Sequence, residues 1–490
     1  MEKRGSRKSW NVLGGSFLLI LYACQVGPRY KGVAKLDETL QWKKEALSDS
    51  SLRNVRQATK DTNGMPQDWW TVFEDDTLNE LVKKALDVNP NVRTAYYRMM
   101  EARALVTQAK ANFYPGVSID PYASKTRLSG NRPNQINTNS LPALQLTTFA
   151  IPLDVSYELD VWGKFRQTVR GAEANLEASR ADYEVMKLGL ASDVVSSYIQ
   201  LRFYDTQIDL FAQSLRLRKE NMDLVMGQFK AGLNSQLDVA QAEIEMTNVE
   251  SQLSEAKRNR TGMENAISLL CGDLPLQFYV PSRKGLPKTP LVPLEIPSEL
   301  VKHRPDILEA EQLLINANAQ VGVANSYFFP SIKLSGSAGY LSARLDNLIS
   351  PNSTTWLGGV NVSIPIFTGG RNTGVRAAAQ ARVNEFQFQY QQRVLTALRE
   401  VQDALVNVER RAEQIAIQQR AVQSSQNASQ ISKELYKAGL TTYVNVVIAD
   451  RSVLDAQNTL LNVACQRLLY TVYLIKALGG GWEERSGKNN

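Results

Sequence analysis

The chain is poor in the residues with which most enzymes carry out chemistry. It has 490 residues but only one histidine, His303, and three cysteines. One histidine cannot supply a histidine metal cluster, and the sequence has no phosphate-binding loop, nucleophile elbow or Cys/His metal spacing. The sequence therefore predicts a protein that is not an enzyme and that holds no metal or other cofactor.

Cysteine is also too scarce for a disulfide framework. Beyond Cys24, which ends an N-terminal signal, the chain contains only Cys271 and Cys465. Two thiols in an exported chain of this length do not build a disulfide-stapled fold. Both lie in apolar, helix-like stretches, so we expect them to be buried free thiols.

Long apolar runs and dense basic stretches are missing as well. No run of 18 apolar residues follows residue 23, so no membrane-spanning helix is expected, and passage through a membrane would have to use β-strands. The net charge of +7 falls to +4 when residues 1–23, with four cations and one acid, are removed. This mild charge, without Lys/Arg clusters interleaved with aromatics, argues against a nucleic-acid partner.

What the sequence does contain begins with an export signal at residues 1–23. A positively charged start precedes an apolar segment from Trp10 to Leu21, which ends in Leu21-Tyr22-Ala23-Cys24. A small residue before cysteine at this place resembles a bacterial lipoprotein box, which predicts that Cys24 is the acylated first residue of the mature protein. Gln25, rather than an acid, suits sorting to the outer membrane. The alternative is an ordinary cleaved signal with an incidental cysteine.

The chain is internally duplicated. Asn89–Val92 resembles Arg304–Ile307 at an offset of 215 residues, and Lys230–Leu233 resembles Lys437–Leu440 at an offset of 207. The second copy has therefore lost eight residues between its two strand segments. Each half is predicted to run helix, strand, strand, long helix, tight turn, helix.

Two strand segments alternate sharply between apolar and polar residues. In 151–161 the odd positions are apolar and the even positions are polar, and 360–367 alternates in a similar way. Weaker partner strands are predicted at 117–120 and 331–335. Each half of the chain is thus expected to contribute one pair of strands.

The polar side of this alternation is the first candidate functional surface. Pro152 and Pro365 cannot donate to a strand ladder and are predicted to mark places where pairing stops. The polar residues of the two segments form one face that is predicted to line water: Asp154, Ser156, Glu158, Asp160, Asn361 and Ser363.

The two longest predicted helices run from Lys164 to Lys230 and from Arg371 to Lys437. Each has 67 residues without proline and would be about 100 Å long, a length that is typical of coiled coils.

A tight turn is predicted after each long helix. Gly232 and Gly439 can take the left-handed conformation that ends a helix. Ser235 and Thr442 are then predicted to cap the returning helices. Asp238, three residues after Ser235, occupies a capping-box position.

The strands and helices together predict a duct. Strands can cross a membrane only as a closed barrel, because every backbone polar group in hydrocarbon needs a partner. Four strands cannot close a barrel of useful bore, since the smallest bacterial barrels have about eight. Several chains are therefore predicted to share one barrel, with the apolar face toward lipid and the polar face toward water. The long helices would extend this pore into the periplasm.

Several different short motifs follow one another along the chain. They are Cys24 with Gly27-Pro28-Arg29-Tyr30, Trp69-Trp70, Asn89-Pro90, the run from Tyr157 to Lys164, Arg304-Pro305-Asp306-Ile307, Gly369-Gly370-Arg371 and the run from Ala477 to Trp482. This ordered set, with its twofold repetition, resembles the TolC/OprM-type outer-membrane efflux family, and most closely the NodT-like lipoprotein branch of that family.

The resemblance implies a mainly α-helical protomer with membrane β-strands. Three copies would form a twelve-stranded β-barrel that is continued by a long periplasmic α-helical barrel. The expected homotrimer is lipid-anchored in the bacterial outer membrane and extends into the periplasm. Its implied partners are outer-membrane lipid, a periplasmic adaptor protein and an inner-membrane pump, with an RND-type pump favoured over an ABC-type pump.

The function that the resemblance implies is the exit duct of a tripartite efflux system for drugs, toxic compounds or ions. The predicted parts of the chain are a signal peptide at 1–23, a lipid-anchored N-terminal segment and equatorial region at 24–88, a first repeat at 89–285, an inter-repeat linker at 286–303, a second repeat at 304–478 and a C-terminal tail at 479–490.

In this family polar contacts and acidic side chains near the helix turns keep the periplasmic end closed. Carried onto this sequence, the candidate gate comprises Gly232, Asp238, Gly439, Asn445 and Ile448. Asn445 and Ile448 stand where the family often has acids, which argues against a strong cation-binding acidic ring. The alternative role for Asp238 is that of a helix cap.

Five further residues are interpreted as structural. Arg304 and Asp306 are expected to pair at a helix start, and Trp69, Trp70 and Trp162 are expected to be packing anchors.

Two other functions stay open. One is a protein-secretion (type I) channel of the same fold, fed by an ATP-driven exporter. The other is a non-porous coiled-coil envelope protein, which would not need two amphipathic strand pairs.

Overall fold

The computed structural model describes residues 66–130, 143–292 and 304–481, together with Gly27, Pro28, Tyr30, Gly32 and Trp42. The predicted signal peptide, Cys24, Arg29, His303 and Trp482 lie outside the described residues.

Within these ranges the chain forms seven α-helices and five β-strands. The helices are α1 (Asp76–Val88), α2 (Pro90–Ala111), α3 (Lys164–Lys230), α4 (Gln236–Leu270), α5 (Pro305–Ser326), α6 (Arg371–Lys437) and α7 (Tyr443–Ala477). The strands are β1 (Gly116–Ile119), β2 (Tyr122–Leu128), β3 (Leu144–Glu158), β4 (Ser331–Ser342) and β5 (Thr354–Ser363). Short 3-10 helices lie at Trp69–Phe73, Leu345–Asn347 and Pro351–Ser353.

The chain divides into two compact units. The first unit, formed by residues 1–32, 100–177 and 311–388, contains the five strands. The second unit, formed by residues 33–99, 178–310 and 389–490, contains α1, α4 and α7. The helices α2, α3, α5 and α6 contribute residues to both units.

Corresponding helices in the two halves of the chain have equal lengths. The helices α2 and α5 have 22 residues each, α3 and α6 have 67 each, and α4 and α7 have 35 each. Strong helix formers and the absence of proline account for the uninterrupted runs. The predicted bounds of both 67-residue helices are confirmed. In the described part of the chain, no helix has a stretch long and apolar enough to cross a membrane.

The strands of the first unit form one antiparallel sheet in the order β1-β3-β4-β5, and β2 also pairs with β3. β1 pairs with β3 up to the Ile119–Leu153 pair, and β2 begins at the Tyr122–Ala150 pair. Pro152 therefore lies opposite the gap between β1 and β2, as the prediction of interrupted pairing required. On its other side Pro152 faces Gly339 of β4.

β3, β4 and β5 are longer than the alternation predicted, and the predicted ends of all three are wrong. β3 ends at Glu158 rather than at Val161, and it begins at Leu144. β5 ends at Ser363, so the predicted continuation to residue 367 is wrong. Pro365 explains the second end, because it has no N–H for the ladder. β4 continues past the predicted end at residue 335 to Ser342.

The second unit has a large hydrophobic core built around α1 and the preceding 3-10 helix. Trp69 is 1% exposed, Trp70 is also buried, and their rings meet edge to face at 6.0 Å. Asp75 caps α1 by accepting a hydrogen bond from Leu78 N at 3.3 Å. Leu78 starts the buried face of α1 and is fully buried. The prediction that Trp69 and Trp70 are packing anchors is confirmed.

Cys271 and Cys465 are free and buried, as predicted. Burial raises the pKa of the Cys271 thiol to about 11 and that of the Cys465 thiol to about 12. Because the thiolate is the reactive form, burial disfavours reaction at both side chains.

Candidate functional site

The register of the sheet gathers the predicted polar residues on one face. Directly paired residues of neighbouring strands point to the same side of a sheet. Glu158 pairs with Lys333, which pairs with Asn361. The other pairs on this face are Ser118–Asp154, Asp154–Ser337, Ser156–Ser335 and Ser331–Ser363. Five of the six predicted polar positions thus lie on one surface, which we call the polar sheet face.

The opposite face of the same sheet is apolar and exposed. One row across it joins Ile119, Leu153, Ala338 and Trp356, and another joins Tyr157, Leu334 and Val360. Trp356 is 83% exposed and Val360 is 67% exposed in the single chain. A continuous apolar surface of this kind marks contact with lipid or with another protein.

Asp160 does not belong to the polar sheet face, so its prediction as a strand position is wrong. It follows the end of β3, and its carboxylate accepts hydrogen bonds from the backbone N atoms of Phe165 and Arg166 at 2.9 and 3.0 Å. Arg166 Nε also donates to it at 3.1 Å. The first backbone N–H groups of α3 have no partner within the helix and attract this carboxylate. Asp160 therefore bonds to the start of α3, and β3 ends before it.

Two neighbouring contacts secure the passage from strand to helix. Lys164 Nζ lies 2.9 Å from Glu158 Oε1, so this acid of the polar sheet face is already paired. Trp162 Nε1 donates to the Pro330 carbonyl oxygen at 2.6 Å, and its ring lies 4.9 Å from that of Phe329. The prediction of Trp162 as a packing anchor is confirmed.

Both helix turns adopt the predicted conformation. Gly232 has φ +75° and Gly439 has φ +73°. The residue after each glycine donates a backbone hydrogen bond to the carbonyl oxygen five residues earlier in the chain. Leu233 N donates to Gln228 O and Leu440 N donates to Leu435 O, at 2.9 Å in both cases. These bonds are those of a Schellman motif, in which glycine is favoured at the left-handed position.

The two returning helices are capped differently. Ser235 and Asp238 form the predicted reciprocal capping box at the start of α4. Thr442 occupies the N-cap position of α7, but its side chain makes no capping hydrogen bond, so the predicted side-chain cap is wrong. The residue three positions on is Asn445, whose Nδ2 donates to Thr441 Oγ1 at 2.7 Å instead.

The remaining gate candidates, Asp238, Asn445 and Ile448, lie near the starts of the two returning helices. The Asp238 carboxylate accepts from Ser235 N and Ser235 Oγ at 3.1 and 2.8 Å, which are local capping contacts. Asn445 and Ile448 are exposed on α7. The alternative role of Asp238 as a cap is therefore confirmed.

Sequence reasoning missed a set of contacts that join the two repeats behind these turns. Arg451 of α7 lies 2.6 Å from Glu245 of α4, whose side chain is 7% exposed. Asp450 of α7 lies 2.8 Å from Lys433 of α6 and 3.6 Å from the buried Arg218 of α3. We call the Arg451–Glu245 and Asp450–Arg218 contacts the inter-repeat ion pairs, because each joins α7 to a helix of the first half of the chain. The partners are too far apart in the chain for a local pattern to reveal them.

Arg304 serves a structural role, as predicted. It is buried and donates to both carboxylate oxygens of Asp306 at 3.0 and 2.8 Å. It also donates to Glu400 and to the Ala477 carbonyl oxygen, at 2.8 Å each. Arg304 therefore ties the start of α5 to α6 and to the end of α7.

In the described residues, no group of three or more His, Cys, Asp or Glu side chains is placed to hold a metal ion.

Comparison with known proteins places the two-sided sheet and the paired helices in a known group. The family model for outer membrane efflux proteins matches residues 81–273 and 296–480. The chain belongs to the outer membrane efflux protein family.

Three relatives each cover 86% or more of this chain. The probable outer membrane lipoprotein SilC of Salmonella typhimurium is 29% identical over 90% of this chain and 92% of its own length. The cation efflux system protein CusC of Escherichia coli is 29% identical over 95% of this chain and 97% of its own length. The toluene efflux pump outer membrane protein TtgF of Pseudomonas putida is 30% identical over 86% of each chain.

Solved structures agree at the level of the fold. The outer-membrane channel OprN aligns with a TM-score of 0.83 at 27% identity, covering 94% of this chain and all of OprN. The CmeC outer membrane channel of Campylobacter jejuni aligns with a TM-score of 0.84 at 26% identity, covering 95% and 96% of the two chains. These neighbours are channels, and this protomer has the fold of an outer-membrane channel.

Proposed function

We propose that this protein is the outer-membrane exit duct of a tripartite efflux system. It passively conducts drugs, toxic compounds or ions that an inner-membrane pump and a periplasmic adaptor protein deliver. The observation that carries the proposal is the two-sided sheet. Its exposed apolar face suits hydrocarbon, and its polar sheet face suits a water-filled passage.

The sheet of one chain is open at both edges, and sister copies would close it. β1 and β2 pair with the same edge of β3, so each chain supplies four strand positions. Three chains would supply twelve, enough for a barrel with a polar lumen. Asp154, Ser156, Asn361 and Ser363 would then face the lumen, with Glu158 paired to Lys164 at its periplasmic rim.

A lipid on Cys24 would anchor this trimer in the outer membrane. The support is the lipoprotein-box pattern before Cys24, and SilC bears the name of an outer membrane lipoprotein. Labelled palmitate should enter the wild-type protein but not Cys24→Ser. Equal labelling of both proteins would remove the lipid anchor from the proposal.

The partners follow from the long helices and the family. The 67-residue helices end in turns that would lie in the periplasm, where an adaptor protein and an RND-type pump would dock. CusC is named for cation efflux and TtgF for toluene efflux, so the family fold serves cargoes of very different chemistry. Cargo selection would then belong to the pump rather than to this duct.

The inter-repeat ion pairs and the turns at Gly232 and Gly439 would form the periplasmic gate. Asn445 and Ile448 lie on the exposed side of α7 near this end. The gate would be closed by contacts between helix pairs rather than by an acidic ring.

Single-channel recording in planar lipid bilayers tests the proposal. The wild-type protein should migrate as a heat-modifiable, SDS-resistant oligomer and conduct ions once the gate is weakened. A monomer in detergent, or an oligomer that stays without current after the gate is weakened, would support the non-porous coiled-coil alternative. Complementation of a small-molecule efflux defect, without secretion of a protein substrate, would exclude the type I secretion channel.

A further inference from the structure

Two cations of β2 lie on the apolar side of the sheet. β1 and β2 pair with β3 without a change of register, because Tyr122 lies three positions after Ile119 and their partners on β3 are also three positions apart. Side chains alternate along a strand, so every second residue from Ile119 onward lies on the same side as Ile119. Lys125 and Arg127 therefore belong to the exposed apolar side rather than to the polar sheet face.

The apolar side of β3 ends beside these cations. Every second residue from Tyr157 back to Phe149 is apolar, which covers about 27 Å of strand. At the strand tilt of outer-membrane barrels this is about 20 Å of membrane thickness, close to the expected apolar band of about 25 Å. The next residue on this side is Thr147, which pairs with Lys125. The edge of the hydrocarbon would therefore fall between Phe149 and Thr147, just below Lys125.

This end of the sheet is the one remote from the long helices. β3 ends at Glu158, and α3 begins six residues later at Lys164. The pairs that Lys125 and Arg127 form lie near the other end of β3. In the proposed function the helices lie in the periplasm, so these two cations would lie at the outer surface of the membrane.

The surrounding chain supplies no counter-charge for these cations. Lys125 and Arg127 are exposed, and the sequence from residue 121 to residue 153 contains three cations and no Asp or Glu. The next charged residues after the end of β4 are Arg344 and Asp346, which pair with each other at 3.0 Å. The outer end of this side of the sheet is thus positively charged.

The internal duplication supports the level of Lys125 independently. β1 begins at Gly116 and β4 at Ser331, which is the repeat offset of 215 residues. At this offset Lys125 corresponds to Tyr340, which lies on the same side of the sheet because it pairs with Ile151. Aromatic residues form girdles at both water interfaces of outer-membrane barrels. The second repeat therefore has an interfacial residue where the first repeat has a cation.

We propose that Lys125 and Arg127, which we call the basic step, bind the phosphorylated headgroup of an outer-leaflet lipid. The acyl chains of this lipid would lie against the apolar side of the sheet. The two Cα atoms are about 7 Å apart along β2, and both long side chains can carry their charge from the edge of the hydrocarbon to a phosphate group. The inference rests on the proposed function, because it needs the sheet to span the outer membrane.

Titration of the purified full-chain oligomer with a lipid A that carries two phosphates tests the basic step. The oligomer is kept in a non-ionic detergent, and native mass spectrometry counts the bound lipids. Lys125→Gln/Arg127→Gln should raise the lipid concentration at half-saturation by about 25-fold, since each cation near an anionic lipid surface contributes about fivefold. The single variants should each raise it by about fivefold, which keeps the test decisive if the double variant does not assemble.

Two control variants separate a specific site from a general effect of charge. Arg216→Gln/Lys219→Gln removes two exposed cations from α3 instead, and it should stay within about twofold of wild type because distant charges are screened. Lys125→Arg/Arg127→Lys keeps both charges at the basic step and should also stay within about twofold. Migration as an SDS-resistant oligomer checks the assembly of each variant.

The outcomes distinguish this site from the duct itself. Equal half-saturation in wild type and in the Lys125→Gln and Arg127→Gln variants, with conducting oligomers in all of them, would overturn the basic step and leave the duct standing. Inorganic phosphate at the same concentration should not displace the lipid, because it has no acyl chains for the apolar side. Displacement by it would overturn a lipid as the occupant. A wild-type protein without oligomer or current would overturn the duct and this inference with it.

Discussion

Arg260 donates a hydrogen bond from Nε to Oδ1 of Asp205 at 2.8 Å, and the Asp205 side chain is completely buried. Its second oxygen accepts from Arg202 at 2.6 Å and from the backbone N of Arg283 at 3.2 Å. Ser282 Oγ also donates to Oδ1. One carboxylate thus joins α3, α4 and the segment at 282–283 that follows α4.

Asp205→Asn should lower the free energy of unfolding by about 3–5 kcal/mol, because it leaves the buried Arg202 without its counter-charge. Thermal unfolding in detergent, followed by circular dichroism, measures the loss. Asp209→Asn is the matched control on the same helix. Its partner Lys284 is 76% exposed, so the loss there should stay below about 1 kcal/mol. Equal losses in both variants would contradict a special role for Asp205.

Glu309 should make stability depend on pH. Burial raises the pKa of Glu309, Asp182 raises it further, and Arg393 opposes the rise. The native state therefore binds this proton more tightly than the unfolded state does. Stability is favoured at low pH and falls as the pH rises from about 4.3, the unfolded value, through the native pKa.

Glu309→Gln should therefore stabilise the protein at pH 7 and have little effect at pH 4. Unfolding measured at both values checks the sign. Glu250→Gln, at an exposed position of α4, should give a curve parallel to wild type. A larger gain for Glu309→Gln at pH 4 than at pH 7 would show that the sign is wrong.

Gly339 has no space for a side chain in the pairing of β3 with β4. A Cβ atom there would lie 2.1 Å from the Ile151 carbonyl oxygen, whereas one on Gly358 would meet nothing within 4 Å. Gly339→Ala should abolish the SDS-resistant oligomer by forcing β3 and β4 apart, and Gly358→Ala should leave it intact. An intact oligomer in Gly339→Ala would show that the strands can shift without loss of assembly.

The long helices, the turns and the two-faced strands could be predicted because each depends on local chemistry. The absence of proline predicts an uninterrupted helix from Lys164 to Lys230, and Gly232 and Ser235 predict the turn that follows it. Alternation in 151–158 indicates which side chains share a face. These signals lie within a few residues of the structure that they predict.

The errors and omissions come from interactions between distant residues. Asp160 continues the alternation of β3 in the sequence. Its carboxylate instead accepts hydrogen bonds from the first N–H groups of α3, so Asp160 is not part of the strand. The Arg451–Glu245 pair joins residues that are 206 positions apart, and the sequence pattern of neither helix predicts it. The contact of Gly27 with Gln167 and Gly322 likewise brings together three separate parts of the chain.

Asp238 allows the capping and gating roles to be separated. Asp238→Ala should cost about 1 kcal/mol of stability and leave conductance unchanged, because its carboxylate is engaged by Ser235. Ser235→Ala removes the other half of the same box and should match it in both measurements. A change of conductance in Asp238→Ala alone would assign a gating role to the carboxylate.

Arg451→Ala should favour the open state of the channel. Arg451 is 57% exposed and Glu245 is 7% exposed, so solvent screening reduces the pair to about 1 kcal/mol. Its removal should raise the open probability in bilayers about fivefold. Arg258→Ala, which breaks an exposed pair within α4, is the control and should have no effect. Unchanged gating in Arg451→Ala would place the gate elsewhere.

The equal lengths of corresponding helices limit how this protein can change in size. A heptad added to α3 alone would displace the turn at Gly232 by about 10 Å relative to that at Gly439. It would also break the register between Arg451 and Glu245. Growth or shortening therefore requires simultaneous changes of equal size in α3, α4, α6 and α7, so insertions here would be inherited only as coordinated sets.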